Sequence, residues 1–323
     1  MDDTEVEVGG RLRLLLCMGE RVIALELARR LAKEWLGKPP QAITVLLKHD
    51  YTGTETPPSG GRVNQVWLKR FCVCVGHFAD GRQRMYFSAQ RTRQYVGDVV
   101  AQLAVAAGLD GVDIFIIPDA ISVMSVVSQV QSSGVPVLVG AQDAYWEDAG
   151  SYTGEVSPSV LAEVGCRMVE LGHAERRRLF DETDADTAKK AAAAARNGLI
   201  PLVCVGERTK GLVSMAVGQC ATQVESVMAA VPEAAEVILA YEPVWAIGAA
   251  QPAAAEHVVG VVSALRELPC VSNRPGTVRI IYGGSAGPGL FAQLKDSADG
   301  LFLGRFAHNP EAFIRTIHEV SAA

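Results

Sequence analysis

The chain is poor in the features that mark many protein classes. Aromatic residues fill only 6% of its 323 positions and charged residues only 20%. What charge it has leans acidic, at -6 with histidine neutral, so it lacks the basic excess of a general nucleic-acid binder. No apolar run approaches the roughly 18 residues that a membrane-spanning helix requires. The opening Met1-Asp2-Asp3-Thr4-Glu5 has neither the basic n-region nor the apolar h-region of a secretory leader. The expectation is a soluble, cytoplasmic protein with no nucleic-acid partner and no membrane partner.

Metal and nucleotide signatures are missing too. The seven cysteines, at 17, 72, 74, 166, 204, 220 and 270, form no C-x-x-C pair. Cys72 and Cys74 share one face of a strand, where two reduced thiols are a simpler reading than a metal pair. The six histidines are dispersed, with no H-E-x-x-H cluster, and neither G-x-G-x-x-G nor G-x-x-x-x-G-K-[ST] occurs. Apolar residues, in contrast, make up 49% of the chain, ample for a large core.

From about residue 70 that apolar material falls into a rhythm of short strand, polar loop and Ala-rich helix. Bounded apolar runs at 112–118, 136–141, 168–171, 200–205, 237–240, 278–282 and 300–303 read as strands buried on both faces. Helical stretches lie between them, as at 157–163, 185–197 and 253–268. Ser157-Pro158 is a helix start and Asn197-Gly198 a helix stop. This alternation means parallel βαβ units. An eighth strand can come from 71–75 or 82–87, and eight would close a (β/α)8 barrel of about 250 residues. A doubly wound open sheet remains the alternative on periodicity alone.

Residues 1–68 stand outside that count. Runs at 12–17 and 42–47 around a helix at about 20–35 would make one further βαβ unit. Lys38-Pro39-Pro40 breaks the helix, and 51–61 has linker composition. The chain thus divides into an N-terminal extension of unknown role, 1–68, and a barrel, 69–323.

The residues with chemical character cluster at the C-terminal ends of the expected strands, where βα loops converge in a parallel barrel. Leu171-Gly172-His173-Ala174-Glu175-Arg176-Arg177 places a histidine at a helix start, where backbone N–H groups favour the neutral imidazole. Ala240-Tyr241-Glu242-Pro243-Val244-Trp245-Ala246-Ile247-Gly248 places a carboxylate before an apolar segment ending in glycine, which suits a base beneath a mobile lid. Tyr282-Gly283-Gly284-Ser285 and Leu303-Gly304-Arg305 are turns whose backbone N–H groups can hold a phosphate. A Gly-Gly pair alone is no more than a turn signal.

Taken in order, these segments resemble the triosephosphate isomerase family. So do Gln142-Asp143-Ala144-Tyr145-Trp146, Tyr152-Thr153-Gly154-Glu155-Val156-Ser157-Pro158 and Cys204-Val205-Gly206-Glu207. The resemblance runs over roughly 71–323. It implies an α/β chain, a (β/α)8 TIM barrel with an extra N-terminal segment. The activity it implies is isomerisation of a small sugar phosphate, either a triose phosphate or a related tetrulose phosphate, through an enediolate, with no metal and no organic cofactor. It makes Glu242 the base and His173 the neutral donor, with Glu175, Cys204 and Arg177 in support. Gly248, Ser285 and Gly304 become phosphate-binding positions beneath a lid over 243–250. It also implies a homodimer built through the loop at 143–158.

The departures from the family pattern surround the substrate. The family's Gly-Asn-x-Lys-Met motif is absent. The register Gln83-Arg84-Met85-Tyr86-Phe87 puts Arg84 in the lysine position and is preferred over Val75-Gly76-His77-Phe78-Ala79, which puts Ala79 there. A planar guanidinium is not a conservative replacement for an ammonium. The lid continues as Ala249-Ala250-Gln251 where the family has Thr-Gly-Lys. Ala174 replaces a serine, and Arg305 replaces the second glycine of the last phosphate turn, where it can bind phosphate or fill the pocket. A catalytically impaired barrel serving as a ligand-binding or regulatory module is the second reading.

Overall fold

The computed structural model describes the strands at 3–8, 12–17, 43–47 and 71–76, and residues 87–323 apart from 110. Two compact units divide the chain, Met1–Gln65 and Val66–Ala323.

In the first unit, β1 (Asp3–Val8) lies between β2 (Leu12–Cys17) and β3 (Ile43–Leu47) and is antiparallel to both. The two expected strands are therefore present and run parallel to each other, with β1 inserted between them. The intervening strand follows from Thr4, Val6 and Val8 alternating with acidic residues, a period of two. The expected helix over 20–35 and the linker over 51–61 lie outside the described residues.

The second unit is a closed barrel of eight parallel strands. In chain order these are β4 (Phe71–Gly76), β5 (Val112–Ile117), β6 (Val137–Ala141), β7 (Met168–Leu171), β8 (Ile200–Val205), β9 (Val237–Tyr241), β10 (Val278–Tyr282) and β11 (Gly300–Leu303). Closure is made by β4, where Cys74 stands opposite Phe302 of β11 and Phe115 of β5. Of the two runs offered for the eighth strand, 71–75 and 82–87, the pairing uses the first, as Phe71–Gly76, an unbroken Phe71-Cys72-Val73-Cys74-Val75 run. The register that sets Arg84 in the lysine position falls on residues outside the described ones.

The strands are apolar on both faces because both are covered. Phe115, Ile117, Met168, Leu202, Ile238, Ile281 and Phe302 form the cluster inside the barrel. The alternating set, including Ile114, Ile116, Val169, Val203 and Leu239, packs outward beneath the helices. The helices in chain order are α1 (Ala89–Ala104), α2 (Val123–Ser133), α3 (Pro158–Glu163), α4 (Ala174–Leu179), α5 (Asp184–Arg196), α6 (Val213–Ala230), α7 (Ala255–Arg266), α8 (Pro269–Ser272), α9 (Phe291–Leu294) and α10 (Pro310–Ser321). The start of α3 is the expected one, Ser157 accepting from the Val160 N–H with Pro158 in the first turn. Asn197 caps α5, and Gly198 follows at φ 73°. Among the described residues no helix is long and apolar enough to cross a membrane.

Candidate active site

Glu242 follows β9 directly and is held by its own backbone. Its N–H donates to Val205 O at 2.8 Å, and the Gly283 N–H donates to Tyr241 O at 2.9 Å. Both flanking strands present glycine to it. A Cβ on Gly206 would stand 2.0 Å from Glu242 O, and one on Gly283 would stand 2.6 Å from Glu242 Oε1. The first glycine of Tyr282-Gly283-Gly284-Ser285 is therefore more than a turn: it makes room for the carboxylate.

His173 lies two residues past β7, at the N-cap of α4. Its Nδ1 accepts the Glu175 backbone N–H at 3.0 Å. A nitrogen that accepts there carries no proton, so the neutral imidazole has its proton on Nε2. Nε2 in turn is 3.3 Å from Glu242 Oε2. Both side chains are deeply buried, His173 at 2% and Glu242 at 5% exposure, so a proton donor and a carboxylate face each other out of water. A small open cleft lies beside them, lined by Gly172, Arg177, Cys204, Gly206, Glu242 and Val244.

The supporting residues hold this pair in place. Arg177 donates through Nε to Gly172 O at 2.7 Å and through Nη1 to Asp184, which fixes the turn before His173. Glu175 is half-buried in the first turn of α4. Cys204, on the inner face of β8, places Sγ 3.7 Å from Oε1 of Glu170. Glu170 is fully buried on β7, and the sequence reading passed over it as part of an apolar strand. The available signal was a single acidic residue inside an otherwise apolar run, a costly placement in a barrel interior.

The lid leaves Glu242 through Pro243 and a 3-10 turn at Val244–Ala246, and reaches Gly248 at φ 72°. The buried Glu207 anchors its start, accepting from Trp245 Nε1 at 2.7 Å and from Tyr241 OH at 3.1 Å, with His257 Nε2 also at 3.1 Å. Burial, and then the Glu207 charge, push the Tyr241 phenol far above its ordinary value, so it remains a donor. At the far end of the lid, the Ala253 N–H donates to Tyr282 OH at 2.9 Å. Ser285 sits at φ 58°, with Oγ 2.8 Å from Ala246 O and 3.1 Å from Ala249 O. Arg305 reaches the same lid, donating to the carbonyls of Gly248 and Ala249. Gly304 opens the turn that carries Arg305. The structure thus gathers Glu242, His173, Glu175, Arg177, Cys204, Gly248, Ser285, Gly304 and Arg305 at one end of the barrel. Arg84, like Ala79, lies outside the described residues.

A family model described as triosephosphate isomerase matches residues 80–320. The matched range takes in Arg84 and leaves out Ala79. The chain is 46% identical over 237 residues to an L-erythrulose-1-phosphate isomerase of Pectobacterium atrosepticum, covering 71% of this chain and 90% of that protein. It is 42% identical over 220 residues to an L-erythrulose-1-phosphate isomerase of Rhizobium etli, covering 65% and 80%. To a triosephosphate isomerase of Moorella thermoacetica it is 37% identical over 234 residues, covering 69% and 90%.

Proposed function

Because the chain belongs to the triosephosphate isomerase family, it is an isomerase of small sugar phosphates, and we propose that a four-carbon ketose phosphate, L-erythrulose 1-phosphate, is its substrate. The contact between His173 Nε2 and Glu242 Oε2 carries the chemical part of this reading. A substrate whose carbonyl and adjacent hydroxyl oxygens face Nε2 presents its carbon-bound proton to the carboxylate. Glu242 takes the proton from C3, the C2 carbonyl becomes an enediolate oxygen, and the Nε2–H donates to it. Glu242 then returns the proton to C2, while His173 Nε2 gives its proton to the C2 oxygen and takes the C3 hydroxyl proton in its place, so the C3 oxygen closes to a carbonyl. A triose phosphate undergoes the same transfer between C1 and C2. A glutamate base with a neutral histidine under a closing loop is the arrangement for which triosephosphate isomerase is itself the standard illustration.

The choice of a tetrulose is supported by two things. The relatives at 46% and 42% identity bear that substrate in their names, against 37% for the triosephosphate isomerase. The departures from the triose pattern at Arg305 and in Ala249-Ala250-Gln251 also meet in one place, where Arg305 bonds the Ala249 carbonyl in the segment after Glu242. Backbone N–H groups at Gly248, Ser285 and Gly304 hold the phosphate, and Arg84 supplies the charge of the missing lysine. The loop at 143–158 serves a homodimer. There Tyr145 stacks on Trp146 at 4.2 Å and approaches Tyr152 at 4.6 Å, with Tyr152 remaining exposed.

Turnover of L-erythrulose 1-phosphate and of glyceraldehyde 3-phosphate, followed by NMR, tests this. The expected result is a higher kcat/KM for the tetrulose, with Glu242→Gln losing roughly 10²–10⁴-fold as removal of a general base does. Preference for the triose overturns the substrate assignment. No turnover of either, with Glu242→Gln matching wild type, leaves the binding-module reading.

A further inference from the structure

We propose that Arg305 is the latch of the lid, a positioning residue that holds the segment after Gly248 shut over the reacting sugar phosphate; this rests on the isomerase reading above. The guanidinium points at the lid's main chain. Nη1 is 3.4 Å from Gly248 O, and Nη2 donates to Ala249 O. Ala249 O is also 3.1 Å from Ser285 Oγ, which is 2.8 Å from Ala246 O. Three carbonyls of the lid, those of Ala246, Gly248 and Ala249, are therefore gripped by two side chains from the loops after β10 and β11. The segment it holds, Ala249-Ala250-Gln251, begins with two alanines, which offer no side-chain polar group of their own.

The charge is matched to the task. A carbonyl accepts more strongly from a guanidinium than from a neutral donor, and the planar fork reaches two adjacent carbonyls at once. The side chain is half-buried, with its guanidinium 5.1 Å from the centre of the Phe306 ring, which limits its freedom to swing away. Closing the site matters to the chemistry because an open enediolate has another exit. With the anion on the C3 oxygen, its electrons can form a carbonyl at C3, shift the double bond to C1–C2 and expel the phosphate from C1, leaving an enol that becomes a dicarbonyl. A lid that stays shut holds the phosphate in place until Glu242 has returned the proton.

The test uses the full chain as wild type, Arg305→Ala and Arg305→Lys, with two independent readouts. Amide hydrogen exchange across 246–251 requires no turnover. It is expected to rise by about tenfold or more in Arg305→Ala, the loss that one charge-assisted hydrogen bond corresponds to, and less in Arg305→Lys. Kinetics on L-erythrulose 1-phosphate are expected to show kcat falling by about tenfold and inorganic phosphate released per isomerisation rising by a similar factor, with KM changed far less. Unchanged exchange in the lid overturns the latch. So does a raised KM with kcat and phosphate release unaltered, the signature of a ligand to the phosphate. Absence of wild-type turnover defeats the isomerase reading alone, since the exchange experiment still decides the latch.

Discussion

At the scale of single residues, the placing of Glu242, the proposed base, depends on what its neighbours leave out. Gly283 has no Cβ because one would lie 2.6 Å from both Cγ and Oε1 of Glu242. The obstructed group is a side chain, so Gly283→Ala is expected to change stability little while swinging the carboxylate away from His173. Misplacing a reacting group by about 1 Å costs on the order of 10²-fold, and kcat is expected to fall by that much. Gly218, in the middle of α6 with nothing near its absent Cβ, is the control. Gly218→Ala is expected to keep full activity and to stabilise by about 0.5–1 kcal/mol through helix propensity. Equal kcat for Gly283→Ala and wild type would refute the steric argument. Glu242 and His173 were legible in the sequence because each ends a strand within an ordered set of motifs. Glu170 was not, because one acidic letter in an apolar run does not say which way the strand faces. The partner of Arg305 was equally hidden, since its bonds go to lid carbonyls that have no letter.

At the scale of elements, the loop after β6 and helices α4 and α5 are tied by buried charge. Lys190 of α5 is 3% exposed and bonds Asp143 at 2.8 Å and Glu182 at 2.6 Å, while Arg176 of α4 lies 3.0 Å from Asp143 and 3.2 Å from Glu182. Burial alone would raise the Glu182 carboxyl, but the Lys190 and Arg176 bonds and charges outweigh it and hold Glu182 below 4.5. Burial prevails at Asp143, which sits above 3.8 despite Lys190. The signs are therefore opposite. Glu182 contributes stability that is present above its ordinary value and is lost as pH falls through its depressed folded value, whereas protonation relieves Asp143. Glu182→Gln is expected to lower Tm at neutral pH, with the gap to wild type closing as the pH falls below 4.5. A gap of constant size from pH 7 to pH 3.5 would show that Glu182 acts through shape alone. Elements of this barrel were readable to within a residue or two wherever apolar runs were bounded by clear stops, as at Met168–Leu171 and Ile200–Val205. The first barrel strand was harder, because two short runs competed and pairing with β11 and β5 decides between them. In the N-terminal unit, strand order depends on which strand enters the middle, and local periodicity carries no such information.

At the scale of the whole molecule, the barrel from β4 to β11 is complete in itself. Every strand has two neighbours, so no edge is left to be covered by another segment. Its last helix, α10, buries Phe313, Ile317 and Val320. The unit Met1–Gln65 has an antiparallel sheet of its own. The chain from Val66 onward is therefore expected to fold without the first 65 residues. It should unfold cooperatively at a Tm close to that of the barrel transition in the full chain and keep kcat/KM within about threefold, a difference below ~0.7 kcal/mol in the transition state. The comparison requires both proteins at equal concentration, because the Tm of any self-associating protein depends on it. A truncated chain that folds but loses more than about tenfold in kcat/KM would mean that the N-terminal unit takes part in the site. One that fails to fold would make the two units thermodynamically one.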